Sequence, residues 1–211
     1  MAGDNEATRD GFSRRRFLQG TGGAAAGTML VGISKIASGE DDAETPLPGL
    51  KRYSASGAKI TLSVNGTPTQ VAVTPDTTLL RAVRESLGMT GTKEVCDRGA
   101  CGACTALVDG RSVNSCLMLA IDAIGHEVTT VEGLTPNGQL DPVQQAFVDH
   151  DACQCGYCIP GFVTRSRALL NEMPNASREQ IKHGLCGNIC RCAAYTRIFD
   201  AVAAVAKGGR G

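Results

Sequence analysis

Tryptophan is absent from this 211-residue chain, and only three tyrosines and five phenylalanines are present. Set beside 26 glycines, that scarcity points to a loop-rich protein rather than one built on a large aromatic core. Net charge is missing as well. Twenty-one basic residues offset twenty-one acidic ones, which removes the electrostatic case for a nucleic-acid or membrane-surface partner. The three histidines, His126, His150 and His183, are scattered and read as surface or core residues rather than metal ligands. No stretch reaches the roughly 20 strongly hydrophobic residues of a stable membrane span. What the chain does hold is cysteine, ten in all. Its length suits two compact domains of under ~100 residues better than one. Small domains bury little surface and often need a metal site or disulfides, which ten cysteines can provide.

The first forty residues read as an address. Ser13-Arg14-Arg15-Arg16-Phe17-Leu18-Gln19 sets a basic cluster ahead of Leu18 to Ser34, an uncharged stretch rich in Gly and Ala. That is the layout of an export signal. The paired arginines resemble the twin-arginine signal, whose machinery moves folded proteins. The route has a physical rationale: thiols threaded unfolded into an oxidising compartment form disulfides, whereas metal ligands must arrive as bound thiolates. Residues 1–39 are therefore expected to be a signal peptide, with Ala37-Ser38-Gly39 nearest to a cleavage site, and the mature chain to be periplasmic. Residues 40–57, with Glu40-Asp41-Asp42, Pro46 and Pro48, read as a solvated linker.

From Lys59 the pattern turns to strands. Lys59 to Val64 and Thr69 to Val73 flank Asn65-Gly66, a hairpin signal, and Ala106 to Val108 and Arg111 to Val113 flank Asp109-Gly110, a second one. Val128 to Val131 supplies another strand. Between the hairpins, Asp76 or Thr77 can cap a helix whose Leu79, Leu80, Val83 and Leu87 fall at helical spacing and which Gly88 ends. Gly91 to Cys104 is too irregular for anything but a loop. Residues 58–135 are thus expected to form an α+β sheet domain. Beyond Pro136-Asn137-Gly138 the periodicity is helical: Val143 to His150, Gly161 to Asn171, Ser177 to His183 and Tyr195 to Ala206. Ser177 and Gln180 stand in capping-box positions, and Asp76, Asp122 and Asp141 read as cap or turn residues. Residues 136–211 are expected to be an all-α domain of four helices.

Eight of the cysteines fall into two groups. Cys96, Cys101 and Cys104, spaced by four residues and then two, are joined by Cys116, which follows the second hairpin. This is the plant-type ferredoxin spacing for a [2Fe–2S] cluster. Four thiolates on two sulfide-bridged irons carry net negative charge, so the loop must bring backbone N–H groups close to sulfur; Gly99 and Gly102 permit that approach, and Arg98 adds positive charge. Zinc, which favours evenly paired ligands, and disulfides are the competing readings. The second group is Cys155 and Cys158 with Cys190 and Cys192. Taken by itself, it is open between zinc, a redox dithiol and a cluster.

Gln154-Cys155-Gly156-Tyr157-Cys158-Ile159-Pro160-Gly161 and Gly187-Asn188-Ile189-Cys190-Arg191-Cys192, following the first quartet in this order, resemble the iron–sulfur subunit of the molybdenum hydroxylases, the xanthine dehydrogenase and aldehyde oxidoreductase family. The likeness runs from about Lys59 to Ala206 and includes Thr130-Val131-Glu132-Gly133-Leu134. It implies a plant-ferredoxin-like β-grasp domain followed by a four-helix [2Fe–2S] domain, with all eight cysteines as ligands. It also implies a large partner subunit holding a molybdenum–pterin cofactor, against which Gln154 and the ligand Cys192 would lie, and an onward acceptor, either an FAD-binding subunit or a cytochrome. The chain itself would carry electrons and no catalytic residue. Two departures stand out. Ala193-Ala194 occupies the place of a common Thr-Gly, and Cys153 and Cys186 are additional, expected as buried thiols. Tyr157 is expected either to pack over the second cluster or to meet a partner. A free-standing exported carrier with zinc in its second domain is the competing function; no nucleophile–base pair supports a chain that oxidises substrate unaided.

Overall fold

The computed structural model describes residues 51–208. The signal assigned to residues 1–39 and the greater part of the linker lie outside the described residues. The linker's end is not wholly solvated as expected, because Tyr53 packs against the sheet-domain core.

Five strands make one sheet: β1 (Ala58–Val64), β2 (Thr67–Val73), β3 (Thr105–Val108), β4 (Arg111–Asn114) and β5 (Glu127–Thr129), in the order β2-β1-β5-β3-β4. β1 and β5 run parallel, and the other neighbours are antiparallel. Both expected hairpins form. Asn65-Gly66 and Asp109-Gly110 take positive φ at both residues, the geometry that follows the twist of the flanking strands. Alternation then sends Ile60, Leu62, Val64, Val71 and Val73 to one buried face. That face is covered by α1 (Leu79–Arg81), which widens at once into a π turn over Ala82–Ser86. Thr78 caps it, rather than Asp76 or Thr77, because the Thr77 hydroxyl is already engaged by the Thr74 N–H and hydroxyl. β5 stops at Thr129, short of Val131, where the chain turns so that the Glu132 carboxylate accepts from the Gly91 N–H and the Thr130 hydroxyl.

Four helices follow: α2 (Pro142–Asp149), α3 (Ile159–Glu172), α4 (Arg178–Gly184) and α5 (Tyr195–Gly208). Asp141 with Gln144 and Ser177 with Gln180 form capping boxes at α2 and α4. Their apolar faces meet in a core of Val143, Phe147, Phe162, Leu169, Ile181, Leu185, Ile198 and Val202, with Phe162 edge-on to Tyr195. α3 also lies along β3, the strand into which the sheet-domain cysteine loop leads. At Gly161 a Cβ would stand 2.4 Å from the Gly102 carbonyl oxygen, so only glycine allows the helix this close. Among the described residues, no helix is long and apolar enough to cross a membrane.

Candidate iron–sulfur sites

All ten cysteines lie in the described region and none is paired in a disulfide. The fold gathers Cys96, Cys101, Cys104 and Cys116 at one end of the sheet. Three come from the loop between α1 and β3, and Cys116 arrives just beyond β4. The loop is coiled by positive φ at Asp97, Gly99 and Gly102, and the Asp97 carboxylate is held 3.5 Å from Arg81 on α1. This curvature aims backbone N–H groups inward. Gly99 donates to Cys116 Sγ at 3.2 Å. The Arg98 N–H draws the Cys96 thiol down to about 7, with the Cys101 thiol and the N–H groups of Ala100 and Cys101 helping against burial. Burial pushes Cys104 up to about 12, and the neighbouring Cys116 and Cys101 sulfurs add to the rise while the Cys116 N–H opposes it.

The second group is assembled by helix packing. Cys158 is the N-cap of α3, Cys155 sits on the loop before it, and Cys190 and Cys192 stand on the segment between α4 and α5. Burial raises Cys158 to about 12, with the sulfurs of Cys190 and Cys155 behind it. The Tyr157 N–H and the Cys192 thiol lower Cys155. On Cys192 the Cys155 N–H pulls down, but the Cys155 thiol, burial and the charges of Cys155 and Cys190 outweigh it and the net direction is up. Ala194 donates its N–H to Cys190 Sγ at 3.4 Å, aimed there by Ala193 in the left-handed region at φ +58°. This is the site of the expected Thr-Gly departure, and it retains a sharp turn without glycine.

These contacts sort each quartet into pairs. In the sheet domain Cys96 faces Cys101 and Cys104 faces Cys116; in the helical domain Cys155 faces Cys192 and Cys158 faces Cys190. Among the described residues, no three or more His, Cys, Asp or Glu side chains close around a single point as one metal ion requires. Two thiol pairs with N–H groups directed at sulfur are the donor set that two sulfide-bridged irons take.

The remaining expected residues fall as follows. Gln154 is exposed and Cys192 half-buried. Arg98 is exposed and contributes its N–H. Tyr157 is half-exposed and donates its hydroxyl to the Glu94 carbonyl at 3.3 Å, with the Lys93 ammonium 5.7 Å above its ring, so it reaches the opposite domain. His126 bonds Asp109 at the β3–β4 hairpin, far from a ligand role. Cys153 and Cys186 are exposed, not buried as expected, because the adjacent Ala152 and Leu185 take the inward positions and turn them out. Sequence reasoning missed Asn188. It is 5% exposed, and its side-chain amide donates to Gly102 O at 2.8 Å and Thr105 Oγ1 at 3.3 Å. The Gly187-Asn188 pair is a turn signal that could have marked it.

Known proteins match both halves. The model of the 2Fe-2S iron-sulfur cluster binding domain family fits residues 62–132, and that of the [2Fe-2S] binding domain family fits residues 130–203. The aldehyde oxidoreductase iron-sulfur-binding subunit PaoA of Escherichia coli (strain K12) is 40% identical over 203 residues, covering 89% of this chain and 86% of that protein. The nicotine 6-hydroxylase small subunit of Paenarthrobacter nicotinovorans is 43% identical over 144 residues, covering 68% of this chain and 87% of that one. The crystal structure of quinoline 2-oxidoreductase from Pseudomonas putida 86 superposes with a TM-score of 0.70 at 41% identity, over 74% of this chain and 97% of that one. With two [2Fe–2S]-binding domains in this order, the chain belongs to the family of iron–sulfur subunits of the aldehyde oxidoreductase and xanthine dehydrogenase type.

Proposed function

We propose that this chain is the electron-transfer component of an exported molybdenum hydroxylase that oxidises aldehydes or N-heterocycles. The observation that carries it is the pairing of two thiol quartets, each facing inward N–H groups, within one continuous fold. When bound, the two clusters supply one-electron carriers between a large partner subunit's molybdenum–pterin cofactor and an acceptor, FAD in a third subunit or a cytochrome. Cys96, Cys101, Cys104 and Cys116 hold one cluster, and Cys155, Cys158, Cys190 and Cys192 the other. The chain's residues keep these thiolates in place, offer N–H donors to the sulfurs and shield Cys104, Cys116 and Cys190 from water. Gln154 and Cys192 would lie against the large subunit and offer a hydrogen-bonded approach to its pterin. The exposure of Gln154 and the partial exposure of Cys192 favour this role.

Export in folded form, with the clusters already inserted, places the complex in the periplasm. The basic cluster Ser13-Arg14-Arg15-Arg16-Phe17-Leu18 ahead of an uncharged Gly- and Ala-rich stretch is what supports this reading. Purification of the native complex tests the whole reading. It should yield about four irons per chain without zinc, two distinguishable reduced [2Fe–2S] signals by electron paramagnetic resonance, and molybdenum. A single cluster signal, or zinc in the helical domain, would return the chain to the free-standing carrier. Arg14→Lys with Arg15→Lys should keep the protein in the cytoplasm; unchanged export would remove the twin-arginine assignment.

A further inference from the structure

The two cluster-bearing segments meet backbone to backbone. The Ile189 N–H donates to the Cys101 carbonyl at 2.9 Å, and Ile189 is bonded directly to Cys190. Cys101 belongs to one quartet and Cys190 to the other. From Cys101 Sγ to Cys190 Sγ there is thus a route of covalent bonds interrupted by one hydrogen bond. The Ile189 side chain is half-exposed and adds little packing, so what this residue supplies to the contact is its N–H.

That hydrogen bond is held by the residue before it. Asn188 is buried, its amide reaches across to Gly102 O and Thr105 Oγ1, and Thr105 Oγ1 donates in turn to Gly102 O at 2.6 Å. The Asn188 N–H closes back on Leu185 O at 3.0 Å, and the Cys190 N–H is fixed by the Tyr195 hydroxyl at 2.9 Å. The fit leaves no slack. A Cβ on Gly102 would lie 2.6 Å from both Asn188 Nδ2 and Gly187 O. A buried amide with both protons on partners across an interface fixes register in a way an apolar contact does not, because a shift strands its donors.

We infer that Asn188 is a positioning residue for electron exchange between the two sites: it locks the loop of one quartet onto the other and so maintains the Cys101 carbonyl to Ile189 N–H bridge that couples them. This rests on the proposed two-cluster reading. One electron leaves one cluster and one arrives at the other; no bond forms or breaks and no proton moves. Electronic coupling falls off more steeply across a gap than along bonds and hydrogen bonds, so loosening the bridge weakens it even where both clusters remain.

The test uses the full chain in its purified complex, comparing Asn188→Ala and Ile189→Pro, which remove the clamp and the bridging donor, with Ile189→Ala, which keeps the N–H. Iron content and the individual cluster signals report whether both sites are intact. The spin–spin splitting between the two reduced clusters at low temperature and the rate of electron equilibration between them report the coupling. Asn188→Ala and Ile189→Pro should keep both signals, diminish the splitting and slow equilibration several-fold, with Ile189→Ala unchanged. Intact signals with unchanged splitting and rate would overturn the inference, as would an Ile189→Ala as slow as Ile189→Pro. Should either variant lose its clusters, Asn188→Ser, which removes the amide but keeps a small polar group, decides by the same readouts. A wild-type complex lacking one signal would overturn the two-cluster reading instead.

Discussion

The two domains solve one coordination problem in opposite ways. In the sheet domain, three of the four thiols lie within one loop, and the Cys96–Cys101 pair is formed by neighbours in that loop. In the helical domain every pair takes one thiol from the α2–α3 connection or the start of α3 and one from the α4–α5 connection. Backbone curvature therefore makes the first site, with Asp97, Gly99 and Gly102 at positive φ, whereas helix packing makes the second. The cores differ accordingly. The main sheet-domain core of Ile60, Leu62, Val71, Leu79 and Val128 contains no cysteine, while the helical core includes Cys190 and packs against Cys158 and Cys192.

That contrast can be broken most forcefully by removing one ligand from each side. Cys104→Ser and Cys158→Ser should each cost one cluster and about half the iron. The helical variant should lose more thermal stability, because Cys158 packs against the large helical core, whereas Cys104 shares a small cluster with Cys116 and Leu80. Equal or reversed melting shifts would erase the distinction.

Next in size is the seam between the domains. Gly161→Ala drives a methyl toward the Gly102 carbonyl and should cost about 2–3 kcal/mol in denaturant unfolding. Gly66→Ala, in open space at φ +75°, should cost only about 1 kcal/mol. A seam that tolerated the methyl as well as the turn does would show that the close approach is not required.

Thiol titration separates loop from helix more gently. In the cluster-free protein, alkylation of Cys96 should rise through pH 7, while Cys104 and Cys158, held near 12, stay unreactive to pH 9. The folded value of Cys96 lies below its ordinary 9.0, so its contribution to stability is full above that pH and is lost as pH falls through about 7. Peptide mapping after brief labelling would expose any other order.

Smaller still is Ala193→Gly. It relieves a left-handed alanine and should add about 0.5–1 kcal/mol while leaving the Ala194 N–H on Cys190. Cys153→Ser and Cys186→Ser should leave the iron content unchanged, since both thiols point outward. Iron lost from either would make it a ligand.

Much of this arrangement was legible from the chain. Asn65-Gly66 and Asp109-Gly110 marked both hairpins because a two-residue turn requires positive φ, and Ser177 with Gln180 marked α4 through a local capping box. The Thr78 cap was missed because the choice among Asp76, Thr77 and Thr78 depends on which hydroxyl Thr74 has already taken. The outward turn of Cys153 and Cys186 was missed for a similar reason: neighbouring residues compete for one inward position, and Ala152 and Leu185 hold it.

By itself the sequence marked out the first group of four thiols, since three of them lie at short spacings in a loop that glycines let coil and the fourth follows a recognisable hairpin. It also specified the strand-then-helix order, because periodicity is local. The crosswise pairing of Cys155 with Cys192 and of Cys158 with Cys190, and the reach of Asn188 across to Gly102, were decided by the tertiary structure alone. Those contacts join residues far apart in the chain, and their geometry exists only once the helices have packed on one another and on the sheet.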